Sequence, residues 1–267
     1  MSADLPRAGF VEQIMGLPVS VHVRGEGARG ADVAAAVERV FAELREVDAL
    51  FSTYRPDSEV SRIDAGTLAP ADAGPLLHEV FALSVIARER TGGLFDVNLP
   101  SAGGRRRYDP SGLVKGWAAD RAARHLVALD DLDFCLNAGG DVVMGCGRPD
   151  AEPWRAGIED PREGGTLLGV LERRDGAVAT SGTAARGAHL VDPRDGSSPH
   201  ALLSVTVVGP SLTWADVLAT AAFVRGEDAV DWLRGQVDYA AVAVHADGRV
   251  TRTPGLRVHE LAGSAST

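Results

Sequence analysis

Apolar residues alternate with polar ones at the start of the chain. In "FVEQIMGLPVSVHVR", residues 10–24, the alternation runs on either side of Met15-Gly16. That period predicts two β-strands joined at a break. Across residues 31–50 the period lengthens: Val33, Val37, Val40, Phe41, Leu44 and Val47 recur at helical spacing among Ala and Glu. This predicts an amphipathic helix laid on a sheet. The stretch "FSTYRPDSEVSRIDAG" is polar and reads as a loop, in which Ser58 to Ser61 can cap a short turn. Residues 74–91 predict a second helix with Leu77, Val80, Phe81, Val85 and Ile86 on its apolar face, stopped at Gly92-Gly93.

Residues 94–112 are rich in Gly, Pro and Arg and read as a loop, and 115–129 as a helix. "DLDFCLNAGGDVVMGCG" predicts strand, Gly-Gly turn, strand. Residues 154–159, 166–173, 177–180 and 187–191 are further strand candidates. "ALLSVTVVG" is a strand, "SLTWADVLATAAFV" a helix and "GEDAVDWLRG" another. "DYAAVAVHADGRVTRT" predicts a hairpin turning at Asp247-Gly248. The tail "LAGSAST" should fray. Helices mix with antiparallel strands without a strict β-α-β rhythm, so the fold class is α+β. No repeat or linker divides the chain.

Charge narrows the partners. Net charge is −10, which disfavours nucleic acid and anionic membranes, since both demand a basic face. No apolar run approaches the ~20 residues that span a bilayer. "MSADLPRAGF" carries no signal-peptide core and no lipid-attachment cysteine, so a cytoplasmic protein is expected. Cys135 and Cys146 form no C-x-x-C and no zinc-like spacing with the seven histidines. They are expected to be reduced and buried.

Familiar phosphate loops are absent. "GCGRPD" has Asp150 where a third glycine belongs, and no G-x-x-x-x-G-K-[ST] exists. Asp216 and Thr220 are four apart and share a helix face, where a carboxylate and a hydroxyl can hold a hard cation such as Mg²⁺. Equally, Thr213-x-x-Asp216 resembles a capping box and Thr220 can bond back along its helix. Thr180-Ser181-Gly182, then His189 before Asp192-Pro193, suit phosphate binding and proton transfer, or a turn and a structural histidine. A Ser-His-Asp hydrolase lacks its G-x-S-x-G elbow. One lysine, Lys115, stands among 27 basic residues; the rest are arginine. An ammonium is a compact point charge with three donors, unlike the planar guanidinium.

Order joins these pieces. "MG" at 15–16, "FSTYRPDSEVSRID" at 51–64, "GGLFDV" at 92–97, "DPSGLVKGWAAD" at 109–120, "LNAGGDVVMG" at 136–145, "ATSG" at 179–182, "HLVDPRDG" at 189–196 and "SVTVVGPSLTWADVLATAAFVRG" at 204–226 run in one sequence. This resembles the ApbE family, the FAD:protein FMN transferases. The resemblance implies one α+β domain of mainly antiparallel sheets with packed helices over residues 10–261, with flexible termini at 1–9 and 262–267. It implies Mg²⁺ and FAD as cofactor and substrate, and transfer of FMN to a Ser or Thr hydroxyl of a target protein with AMP leaving. Some relatives instead hydrolyse FAD to FMN and AMP, and a non-catalytic flavin binder is a third reading. The implied Mg²⁺ ligands are Asp216, Thr220 and the backbone carbonyl near Gly112. Met15, Tyr54, Leu94, Phe95, Asp96, Asp109 and Lys115 would contact FAD. Thr180, Ser181 and His189 would line the reacting end, His189 also touching FAD, with His189 or Asp216 as general base.

Within the domain, this chain departs from the family pattern in two places. "SAGGRRRY" replaces a longer, tryptophan-containing segment between Asp96 and Asp109, and Thr183-Ala184 follow the T-S-G triplet where an acidic-aromatic pair is usual.

Overall fold

The computed structural model describes residues 5–101, 104, 106–183 and 190–259. Its centre is an eight-stranded sheet in the order β1-β2-β5-β6-β9-β10-β11-β12, and every neighbouring pair is antiparallel. β1 (Arg7–Ile14) and β2 (Leu17–Arg24) form the first hairpin. Its turn is Met15-Gly16, with φ of 55° and 69°. Two left-handed residues match the twist of the flanking strands, which is why the apolar alternation resumes there. β1 starts at Arg7 rather than Phe10.

β5 (Asp133–Ala138) and β6 (Asp141–Cys146) repeat the device through Gly139 and Gly140, both left-handed. β9 (Gly176–Gly182), β10 (Leu202–Gly209), β11 (Ala240–His245) and β12 (Val250–Arg252) complete the sheet.

Helices cover one face. α1 (Ala31–Phe51) buries Val33, Val37, Val40, Leu44 and Val47 as its spacing predicts. α4 (Ser111–Val127) packs between α1 and α5 (Leu212–Arg225), and α5 lies on β9 and β10. α5 is buried nearly all round, as expected of a helix inside the layer. The other face is covered by the hairpin of β7 (Trp154–Glu159) and β8 (Leu167–Arg173). There Ile158 and Leu171 pack on Val142, Met144, Val178, Val208 and Val242.

Several expectations are corrected. The polar segment after α1 contains a short helix, α2 (Glu59–Asp64), capped by Ser58, whose Oγ accepts from the Ser61 amide at 3.0 Å. In α3 (Pro75–Arg90) Leu77, Val80, Ser84 and Ala87 face the core, while Val85 and Ile86 are exposed. Small residues win the buried stripe because it lies against other elements. Residues 94–112 hold two short paired strands, β3 (Asn98–Pro100) and β4 (Arg106–Tyr108), before α4 begins at Ser111. α6 is only Ala229–Leu233. Leu190 and Val191 are not in a strand, and 184–189 lie outside the described residues. Cys135 and Cys146 are free but half-buried. Burial pushes the Cys135 thiol up to about 11 against the pull of Arg24.

A candidate active site around Lys115

Lys115 sits in the second turn of α4, not at a helix start. Its Nζ contacts Asp141 Oδ2 and lies 3.5 Å from Asp216 Oδ2. Both carboxylates are almost completely buried, at 2% and 3% exposure. They arrive from different layers: Asp141 opens β6 just after the Gly139-Gly140 turn, and Asp216 lies on α5. Asp141 Oδ1 accepts the Thr180 amide at 2.9 Å. Sequence reasoning passed over Asp141. Its only linear signal was an acid directly following a Gly-Gly turn in an otherwise apolar strand.

The helices can approach because Gly116 has no side chain. A Cβ there would lie 2.8 Å from the Leu212 carbonyl oxygen and 3.1 Å from Asp216 Cβ. One turn further on, Asp120 accepts from Ser211 Oγ at 2.6 Å, the Leu212 amide at 2.9 Å, and the Thr213 amide and hydroxyl at 2.8 and 2.7 Å. The start of α5 is therefore capped by Ser211 and, from the neighbouring helix, by Asp120. This removes the capping-box reading of Thr213 and Asp216: Thr213 is already helical and Asp216 points to Lys115. Thr220, one turn after Asp216, meets Ser181 across the layer, Oγ1 to Oγ at 3.1 Å.

Thr180 and Ser181 are neighbours on a strand, so they face opposite ways. Ser181 is buried toward α5; Thr180 bonds Thr206 Oγ1 at 2.9 Å on the flap side. The Thr180 side chain thus does not join the Lys115 cluster, although its amide does. His189 lies outside the described residues.

Of the remaining predicted residues, Asp109, Gly112 and Phe95 meet at the N-terminus of α4. Asp109 accepts the Ser111 amide at 3.1 Å and pairs with Arg107 at 2.7 Å. Gly112 lies inside the first turn of α4, so its carbonyl belongs to the helix ladder and offers a second lone pair. A Cβ on Gly112 would sit 3.4 Å from the buried Phe95 ring. Thr91 fixes the approach to this segment by accepting the Phe95 amide at 3.1 Å. Leu94 is buried there, and Asp96 accepts the Asn98 amide and pairs with Arg88 at 3.2 Å. Met15 occupies the β1–β2 turn, half-buried against the core. Tyr54 is 96% exposed. Its loop is tied down by Ser58 and Ser61, whose hydroxyls both donate to the Ser52 carbonyl.

Among the described residues no three His, Cys, Asp or Glu side chains gather as a metal cage. The candidate ligands that do gather are oxygens: the Asp216 carboxylate and, one turn further along α5, the Thr220 hydroxyl, which meets that of Ser181. That set fits Mg²⁺, which takes one or two carboxylates and completes its shell with water and phosphate.

Fold and site define an α+β protein whose buried polar centre combines two carboxylates, paired hydroxyls and one ammonium. The chain belongs to the ApbE family: the family's sequence pattern matches residues 15–102 and 99–243. A Rhodobacter capsulatus protein named FAD:protein FMN transferase is 35% identical over 162 residues, covering 57% of this chain but only 30% of that protein. The Haemophilus influenzae protein of the same name is 26% identical over 274 residues, covering 80% and 79%. A crystal structure of the ApbE protein from Thermotoga maritima matches with a TM-score of 0.80 over 93% of this chain and 97% of its own, at 22% identity. The flavin transferase ApbE from Vibrio cholerae matches at 0.77 over 96% and 97%, also at 22% identity. At those identities the likeness establishes the fold. No helix among the described residues is long and apolar enough to cross a membrane.

Proposed function

We propose that this chain transfers the FMN half of FAD to a Ser or Thr hydroxyl of an acceptor protein, with AMP as leaving group and Mg²⁺ at the pyrophosphate. The observation that carries this reading is the cluster of Lys115, Asp216, Thr220 and Ser181 in a chain of the ApbE family. Relatives across several bacteria bear the name FAD:protein FMN transferase, which supports FAD as the donor and a protein as the acceptor.

An acidic protein binds this anionic dinucleotide with local groups rather than a basic surface. Lys115 brings its ammonium to the pyrophosphate oxygens with the donors that Asp141 does not take. Asp216, Thr220 and the Gly112 carbonyl would hold Mg²⁺, which when bound neutralises charge on those oxygens. Met15, Leu94, Phe95, Asp96 and Asp109 would contact the flavin nucleotide, and the exposed Tyr54 ring is available to stack on it. The acceptor oxygen forms a bond to the FMN phosphorus, the bridging P–O bond breaks, and the oxygen leaves with AMP. The acceptor's proton passes to a base, His189 or Asp216. Docking of the acceptor must keep water from the same phosphorus.

Purified protein incubated with FAD, Mg²⁺ and an acceptor domain tests the reading. Intact mass should show the acceptor heavier by one FMN, with in-gel flavin fluorescence. Free FMN with an unmodified acceptor marks a hydrolase instead. Bound FAD that is never turned over marks a flavin-binding protein.

A further inference from the structure

We propose that Asp141 is a positioning residue: it holds the Lys115 ammonium so that the Asp216 carboxylate stays available to a divalent cation. This rests on the metal-dependent reading above and concerns a residue which that reading does not use. Lys115 Nζ is shared unequally. It is in direct contact with Asp141 but 3.5 Å from Asp216. Asp141 is anchored for the task. It stands at the start of β6, it is buried, and its other oxygen accepts the Thr180 amide at 2.9 Å.

One ammonium faces two buried carboxylates and cannot pair closely with both. At low effective dielectric the pairing is strong and the ammonium stays with whichever carboxylate holds it better. Without the Asp141 charge, Lys115 would close on Asp216 and neutralise the oxygen that a cation needs. Asp141 would then set cation affinity through Lys115, without touching the cation.

Three variants and one probe test this. Mn²⁺ binding is read from the loss of its free-ion paramagnetic signal, without FAD and with FAD present. Asp141→Asn keeps the shape and the acceptor for Thr180, and thermal melts check that it folds. We expect its Mn²⁺ affinity to fall about tenfold or more, and the same substitution in a Lys115→Met background to change affinity less than about threefold, the signature of coupled residues. If Asp141→Asn binds Mn²⁺ like the parent, the proposal is wrong. It is equally wrong if the loss is as large in the Lys115→Met background, because Asp141 then acts only as one more negative charge. If the parent itself takes up no Mn²⁺ under either condition, the metal-dependent reading fails first, and this inference with it.

Discussion

Lys115 meets carboxylates from two elements far apart in sequence, and that explains why the chain keeps a single ammonium. The space between Asp141 and Asp216 suits a compact charge; a planar fork would push one carboxylate away. Lys115→Arg should therefore lower kcat/KM for FAD by more than about tenfold while the melting temperature moves little, a loss of ~1.4 kcal/mol or more in transition-state binding. Near-normal kinetics would mean that the lysine is an accident of composition. Asp216→Ala should abolish Mg²⁺-dependent turnover in a protein that still melts cooperatively. Retained activity with a loss of stability would instead assign Asp216 a structural role. Lys115, Asp216 and Thr220 were legible from order and helical spacing. Asp141 was not, because its meaning comes from a contact across layers that no local period encodes.

At the scale of elements, the site is a docking of α4 on α5. Gly116 brings the helices close and Asp120 caps α5 from the side, so the two residues set how Lys115 faces Asp216. Asp120→Ala should cost about 1–2 kcal/mol, as loss of a helix cap does. It should also lower turnover, because α5 carries both Asp216 and Thr220. Urea denaturation beside kinetics on the same variant measures both, and an unchanged midpoint would refute the cap. The sequence pattern placed α5 well and misplaced the start of α4. Pro110, Ser111 and Gly112 look like loop residues, yet Pro110 precedes the first turn and Asp109 holds the Ser111 amide. The apolar face of α3 was misread for a related reason. Tertiary neighbours chose Ser84 and Ala87 over Val85 and Ile86, and hydrophobicity alone cannot report how much room a site has.

At the scale of the whole molecule, helices cover one face of the sheet and the β7–β8 hairpin covers part of the other, and strands such as β1 were legible because alternation survives wherever only one face is buried. The flap of β7 and β8 was visible as strands but not as a cover for the far side, since pairing between sheets leaves no mark in a linear pattern. Charge acts at this scale too. The chain carries 37 acidic residues against 27 Lys and Arg, and many carboxylates have an arginine partner. Arg162 holds Asp160 below the usual carboxylate range, and Arg194 does the same for Asp192. A carboxylate whose native pKa is depressed contributes stability above its unfolded value, about 3.9 for Asp, and loses it as pH falls through the native value. Protonation of these groups also leaves the arginines and the seven histidines as uncompensated positive charge. The melting temperature should therefore change little between about pH 8 and 5 and fall steeply from about pH 5 to 3. Asp192→Asn, which removes one of these titrations, should make that fall shallower. Calorimetric melts of both proteins across the range decide it: a level melting temperature down to about pH 3 would show that the paired carboxylates carry no net stability.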